Sequence, residues 1–346
     1  RRKMVKEVGA ISAIPIASMK KRMLISKKIG YENIIFHELD LLNYVSVKSL
    51  LNKYKPRLIL HLASQPSAPY SQINPKKASF TLTNNNNATL NLLWALNELK
   101  FKKTVFVETT TTGVYGAPDF EIPEGFIDIT KKGKKTKVPF AGMGQSWYHI
   151  TKSNDANLLW LANRQWSLSI LDFRTAITYG TSTKETREHS ELSTRFDFDY
   201  WFGVVINRFC AMAVSNYPLT IYGKGNQKKP MVSLDDAVDS LSKTVYLKSD
   251  NKFHVVNQIS GTLSIKDISE IIEKKFKKEK RKLKIVHIKN PRVEKEDHKM
   301  KINSKKFKKI LGRKPNNLSK GIYDILSDIY EHKKTILKFK QKLLNK

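Results

Sequence analysis

The 346-residue sequence contains one cysteine, Cys210. A lone thiol closes no disulfide within the chain and supplies no thiolate metal cluster. The eight histidines show no ligand spacing such as His-x-x-x-His on a helix, so no metal site is indicated. Long apolar runs are missing too. The best, from Phe202 to Val214, is interrupted by Asn207 and Arg208 and falls short of the roughly 18 residues that would suggest a membrane span. Acidic side chains are scarce, 31 against 63 Lys and Arg, which leaves a formal net charge of +32. Such a balance attracts anions. A nucleic-acid binder gathers its charge on one face or motif. Here the lysines are spread along the chain, with runs only at 131–137, 274–282 and 299–309, so nucleic acid is not the expected partner. Glycine is thin where a dinucleotide would need it. Gly9 and Gly30 stand alone, and no Gly-x-x-Gly-x-x-Gly follows a strand to bring backbone amides against a pyrophosphate. The chain opens on Arg1-Arg2-Lys3 without a Met or an apolar signal region, as a fragment or a processed product would.

What is present alternates. A short strand over 33–36 precedes a helix over 45–54. Residues 58–62 are apolar except for His61, as in a parallel strand buried on both faces. A helix over 78–100, a strand over 104–107, a helix over 148–164 and a strand over 168–173 follow. This alternation predicts an α/β fold with a doubly wound, Rossmann-like parallel sheet. Residues 117–145 lose periodicity and read as a surface insertion able to cover a site. Beyond Gly180 the pattern is mixed: a helix over 200–214, a strand over 219–222, a helix over 234–246, and a strand over 253–256 returning to the sheet. A helix over 265–275, with Ser264 as N-cap, and a terminal helix over 320–337 complete a smaller mixed α/β lobe. Residues 338–346 are expected to fray. The division is 1–180 and 181–346.

Chemistry concentrates at Trp147-Tyr148-His149-Ile150-Thr151-Lys152. Tyr148 and Lys152, four residues apart, share one helix face. A phenol ionises near pH ~10, and a close ammonium favours the phenolate. Lowering that value to about 7 needs roughly 4 kcal/mol and makes a general base for a sugar hydroxyl. A Tyr-x-x-x-Lys pair also arises by chance on many helices. The turn Thr109-Thr110-Thr111-Thr112-Gly113-Val114-Tyr115-Gly116 adds weight, because it puts Thr111 at a strand's carboxyl end, where open α/β sheets bind ligands.

Thr111, Tyr148 and Lys152 in this order resemble the triad of the extended short-chain dehydrogenase/reductases, the NAD-dependent epimerase/dehydratase family. Several blocks narrow the likeness to the UDP-sulfoquinovose synthases. They are Leu60-His61-Leu62-Ala63-Ser64-Gln65-Pro66-Ser67-Ala68-Pro69-Tyr70-Ser71, Thr186-Arg187-Glu188-His189-Ser190-Glu191-Leu192 and Asn207-Arg208-Phe209-Cys210. Tyr222-Gly223-Lys224-Gly225-Asn226-Gln227 and Asn290-Pro291-Arg292-Val293-Glu294 are the most specific. By comparison with that family, the first strand, phosphate loop, first helix and ribose-binding acid would precede residue 1.

The resemblance implies roles. NAD is the cofactor, with Asp40 at the adenine, Asn84 beside the dinucleotide, and Tyr148 and Lys152 at the nicotinamide ribose. Thr111 would hold the substrate 4-hydroxyl and Tyr148 would take its proton, while His149 would face C6 or an incoming anion. Arg292 and Glu294 would grip the diphosphate and uridine, with Tyr222 and Gln227 in the same cleft. Two substrate contacts of the family are changed: Pro66 stands for an Arg and Thr175 for a Gln. Lys229-Pro230-Met231 replaces Arg-Gly-Tyr, and Lys229 keeps the charge without the bidentate fork. The implied reaction oxidises UDP-glucose at C4, eliminates water across C5 and C6, adds sulfite at C6 and returns the hydride, a step of sulfolipid biosynthesis. The implied partners are UDP-glucose and sulfite, in a homodimer, in cytoplasm or the plastid stroma of a photosynthetic eukaryote. A nucleotide-sugar 4-epimerase or 4,6-dehydratase fits the triad equally, and Phe173-Arg174-Thr175 looks more like those enzymes. A cofactor-deficient remnant is the third alternative.

Overall fold

The computed structural model describes residues 2–290 and 300–344. A short helix, α1 (Arg2–Glu7), leads into a segment whose Ala13 N–H donates to the Phe196 carbonyl. The helix α2 (Met19–Lys28) is capped by Ser18 and buries none of its side chains. Its Arg22 donates to the carbonyls of Glu191, Leu192 and Ser193. No strand forms at 33–36, contrary to the sequence expectation. Ile34, Ile35 and Phe36 are exposed, and no strand among the described residues lies beside them to accept a ladder.

The α/β pattern then begins. Asn43 caps α3 (Tyr44–Tyr54), which leads to β1 (Leu58–His61). After α4 (Ala68–Ser71), Asn74 caps the long α5 (Pro75–Glu98), with Pro75 in the first turn where its missing N–H costs nothing. Next come β2 (Val105–Thr111), the hairpin β3 (Phe126–Lys131) and β4 (Lys134–Pro139), α6 (Trp147–Trp166) and β5 (Ser169–Thr175). The hairpin occupies the stretch read as irregular. Its Lys132-Gly133 turn has positive φ at both positions (49° and 73°), as a two-residue hairpin requires. Its apolar alternation is diluted by lysines because both strands are largely exposed.

The remainder runs β6 (Ile177–Tyr179), α7 (Lys184–Arg187), α8 (Val205–Val214), β7 (Leu219–Tyr222), β8 (Lys228–Ser233), α9 (Leu234–Ser242), β9 (Phe253–Gln258), β10 (Gly261–Ser264), α10 (Ile265–Lys278), β11 (Ile285–Ile288), α11 (Lys305–Leu311), α12 (Leu318–Tyr330) and α13 (Lys333–Lys338). The main sheet has the order β1-β2-β5-β9, all parallel.

Side chains of β2 alternate between two cores, as the pleat dictates. Phe106 joins Leu92, Leu96 and Leu159 of α5 and α6. Val105 and Val107 join Ala237 of α9 and Phe307 and Leu311 of α11 on the opposite face. Helices thus cover both faces of the sheet. A further core is built on α8, which is buried all round from Ile206 to Val214, as a helix apolar on every side must be.

The chain's end is anchored rather than frayed. Leu343 is fully buried, and its carbonyl accepts from Arg208 Nε (3.1 Å) and Nη2 (2.6 Å). Lysine-rich composition concealed this, since one buried leucine among exposed lysines has no periodicity. Leu343→Ala should therefore cost about 2–4 kcal/mol in denaturant unfolding, as a core leucine does. A loss within about 0.5 kcal/mol, the usual surface value, would mean that the tail is not docked in solution.

Candidate active site

Two elements carry the three residues of the Thr, Tyr and Lys pattern, Thr111 on β2 and Tyr148 and Lys152 on α6. Ser146 caps α6 by accepting the His149 N–H, and Ser71 accepts the Tyr148 N–H at 3.1 Å, tying the helix start to α4. Thr111 ends β2 and caps the turn after it, its hydroxyl oxygen accepting from the Gly113 N–H at 3.2 Å. Thr175, at the end of β5, lies opposite Thr111 in register. Its hydroxyl donates to its own strand at the Phe173 carbonyl.

His149 packs directly on Gly113. A Cβ at that glycine would stand 2.3 Å from His149 Cδ2 and 2.5 Å from Nε2. The imidazole Nδ1 is 3.0 Å from Ser146 Oγ, and the ring lies beside the Tyr148 ring, with centroids 5.3 Å apart. Burial, with a further push from the Lys229 ammonium, lowers its pKa to about 4, so His149 is a neutral donor–acceptor at physiological pH.

Lys152 does not simply face the phenol. Its ammonium is buried between two carboxylates, 3.1 Å from Glu108 Oε1 and 3.0 Å from Asp155 Oδ2. Burial works to deprotonate it, but Asp155 and Glu108 outweigh that and hold the charge well above the usual lysine range. The Tyr148 pKa is raised above the ordinary phenol value. Burial raises it, Lys152 pulls it down, and Asp155 and Glu108 push it up again. Burial is the largest of these influences, and the two carboxylates oppose the pull of the one ammonium.

The asparagine run also departs from expectation. Asn85, Asn86 and Asn87 read as a solvated face of α5. Asn85 is instead buried, its Nδ2 donating to Gln65 O (3.1 Å) and Thr151 Oγ1 (3.0 Å). Asn86 donates to the Thr151 carbonyl at 2.7 Å and to Asp155 Oδ1 at 2.8 Å. Asn84, partly buried, donates to Asn85 Oδ1. These residues join α5 to the catalytic face of α6.

Other nominated residues separate into groups. Tyr222 OH accepts from Arg208 Nη2 at 3.3 Å, and Gln227 Nε2 donates to the Tyr222 carbonyl at 3.4 Å. Gln227 is buried, and its Oε1 has no hydrogen-bond partner among the described residues. Lys229 acts electrostatically on His149, linking β8 to the α6 start. Asp40 is exposed, its carboxylate accepting the Leu42 N–H of its own turn at 3.0 Å. Arg292 and Glu294 lie outside the described residues. No group of three or more candidate metal ligands occurs among the described residues, and no helix there is long and apolar enough to cross a membrane. The missed residues are Glu108, Asp155, Asn85 and Asn86. Only Glu108 left a signal, as a charge inside the apolar strand run Val105-Phe106-Val107.

Two tests follow from this geometry. Gly113→Ala should cost about 1–3 kcal/mol by overpacking, and His149→Ala in the same chain should recover most of that loss. Additive costs in this double-mutant cycle would remove the Gly113–His149 contact. The second concerns His61, buried on β1, whose pKa is lowered to about 4 by burial first and then by Lys152, with Asp155 opposing. The folded state refuses a proton that the unfolded chain accepts near pH ~6.5. Its contribution is therefore complete above that pH and is lost as pH falls toward 4, roughly 3 kcal/mol across the window. His61→Asn should flatten the pH dependence of unfolding between those limits, and an unchanged slope would disprove the assignment.

The model of the NAD dependent epimerase/dehydratase family matches residues 15–257. The chain is 34% identical over 350 residues to UDP-sulfoquinovose synthase of Sulfolobus acidocaldarius, covering 100% of this chain and 88% of that protein. It is 32% identical over 319 residues to the chloroplastic UDP-sulfoquinovose synthase of Spinacia oleracea, covering 92% of this chain and 66%, just under two thirds, of that protein. Among solved structures, UDP-glucuronic acid 4-epimerase of Bacillus cereus, in complex with UDP-glucuronic acid and NAD, superposes with a TM-score of 0.65. Its identity is 21%, covering 93% of this chain and 88% of that one, which supports the fold. A parallel sheet covered on both faces, a Thr at the end of β2 and a Tyr-x-x-x-Lys helix beside it accompany a family match over most of the sequence, and the chain belongs to the NAD dependent epimerase/dehydratase family.

Proposed function

We propose that the chain works as a UDP-sulfoquinovose synthase, converting UDP-glucose and sulfite to UDP-sulfoquinovose with NAD. The observation that carries this reading is the Thr111, Tyr148 and Lys152 constellation at the β2–α6 junction, in a chain similar along its whole length to such synthases.

The residues present fit one half of the cofactor. Tyr148 and Lys152 lie on one face of α6, beside the carboxyl ends of parallel strands, which suits a nicotinamide ribose. A pyrophosphate requires amide donors at a Gly-rich helix start, and the sequence given contains no such turn. NAD, when bound, supplies hydride acceptance and return at the sugar C4. Thr111, whose oxygen already accepts the Gly113 N–H, keeps its own proton to donate to the 4-oxygen. Tyr148 takes the 4-hydroxyl proton and gives it back, with Lys152 in its field. Neutral His149 and the Lys229 charge beside it face the C6 side, where an anionic sulfite is attracted. Tyr222 and Gln227, with Arg292 and Glu294, serve the uridine diphosphate, and Thr175 lies at the sugar. Asp40 and Asn84 serve the rest of the cofactor. Residues 1–180 form the cofactor side and 181–346 mainly the sugar-nucleotide side. The working unit is a homodimer, in cytoplasm or plastid stroma.

Tyr148→Phe should abolish turnover while UDP-sugar affinity stays within a few fold, because the phenol moves a proton while the nucleotide side holds the ligand. Binding lost in step with rate would count against this role. Product analysis from UDP-glucose separates the readings. Sulfite-dependent formation of a sulfonated sugar supports the synthase, whereas a 4-epimer or a 4-keto-6-deoxy sugar formed regardless of sulfite replaces it with an epimerase or dehydratase.

A further inference from the structure

Glu108 sits in the middle of β2, fully buried, where a strand covered on both faces normally carries an apolar residue. A buried carboxylate persists only when paired and hydrogen-bonded. Glu108 has both. Oε1 accepts from Lys152 at 3.1 Å, and the Thr89 hydroxyl of α5 lies 3.2 Å from each oxygen. Asp155, one helical turn past Lys152, completes the clamp and is itself held by Asn86. Two acids and one ammonium are enclosed together, and neither acid belongs to the Thr111, Tyr148 and Lys152 constellation.

We infer that Glu108, with Asp155 beside it, is a positioning residue of the proton-transfer site: it fixes the Lys152 ammonium one helical turn from Tyr148 and opposes that ammonium's pull on the Tyr148 phenol. The inference rests on reading Tyr148 as the proton-transferring residue. Free Lys152 would present its whole charge to the phenol. Clamped by two anions, it acts on the phenol with their charges opposing it. Burial and then the Asp155 carboxylate raise the Glu108 pKa, against the pull of Lys152.

The groups facing Glu108 come from four elements. Helix α6 contributes Lys152, Asp155 and Tyr148, and α5 contributes the neutral Thr89 and Asn86. On β1, His61 lies opposite Glu108 in register and is neutral near pH 7. On β5, Asp172 lies opposite in register, engaged by Arg174 Nε at 3.0 Å and by the Thr110 hydroxyl. Lys152 is the cation that pairs with Glu108, while Arg174 is taken up by Asp172.

The test is the ionisation of Tyr148 in the full chain without substrate, followed by NMR of isotope-labelled tyrosine. The Tyr148 signal is assigned by its disappearance in Tyr148→Phe. Glu108→Gln, which keeps the shape and removes the charge, should move the midpoint toward acid by about half a pH unit or more. Glu108→Asp, which keeps the charge, should return it toward wild type. A folded Glu108→Gln protein with an unmoved midpoint, or one moved toward alkali, would overturn the inference. Should that variant fail to fold, Asp155→Asn removes the other charge of the cluster and must shift the midpoint in the same direction, with no shift again fatal. Because no substrate is present, a chain that turned over no UDP-glucose would sink the functional reading while leaving this result standing.

Discussion

An ammonium enclosed with two carboxylates between β2, α5 and α6 is the constraint on which the rest of the site depends. Removing such charges from water costs several kcal/mol each, and mutual attraction offsets this only when the remaining polar atoms are satisfied. Here Thr89 and Asn86 satisfy them, which obliges α5 to lie at a fixed distance and rotation from α6. Lys152 and Asp155 lie three residues apart on one helix face, so fixing them also fixes Tyr148 one turn earlier. Helix packing, strand register and the phenol's position are parts of one electrostatic solution.

At the mouth of the site, contact is closer and charge is lower. Gly113 exists to let the His149 ring lie against the turn after β2, and Ser146 holds the ring by its Nδ1. The imidazole stays neutral because it is buried and because Lys229 stands near it. A neutral His beside a cation adds hydrogen-bonding capacity without adding charge. The excess of lysine over the whole chain favours the same class of ligand at longer range.

The second lobe carries a comparable arrangement with a different purpose. Arg208, on a helix buried on every side, is bonded to the carbonyl of Leu343, and its guanidinium lies over the rings of Tyr200 and Tyr222. The carboxyl-terminal tail thereby holds in place the strand end that bears Tyr222. The amino-terminal segment enters the same core through Ala13 and Ile14. Both ends of the described chain are therefore fastened to the lobe opposite the parallel sheet.

Much was legible in the sequence because it is written locally. Alternation of apolar strands with capped helices, the Tyr148–Lys152 spacing, the Ser264 cap and the Thr-rich turn each depend on residues within a few positions of one another, and each stands where its pattern placed it. What escaped depends on partners far along the chain. Residues 33–36 have a strand's composition but find no neighbour to pair with. Asn85 and Asn86 look like a solvated face until α6 is laid across them, and Leu343 looks frayed until Arg208 reaches its carbonyl. The sequence by itself determined the fold class and the shared helix face of Tyr148 and Lys152, since these follow from spacing and pattern. Only tertiary structure decided the charge that the phenol feels, because Glu108 and Lys152 are 44 residues apart and meet only when β2 and α6 pack.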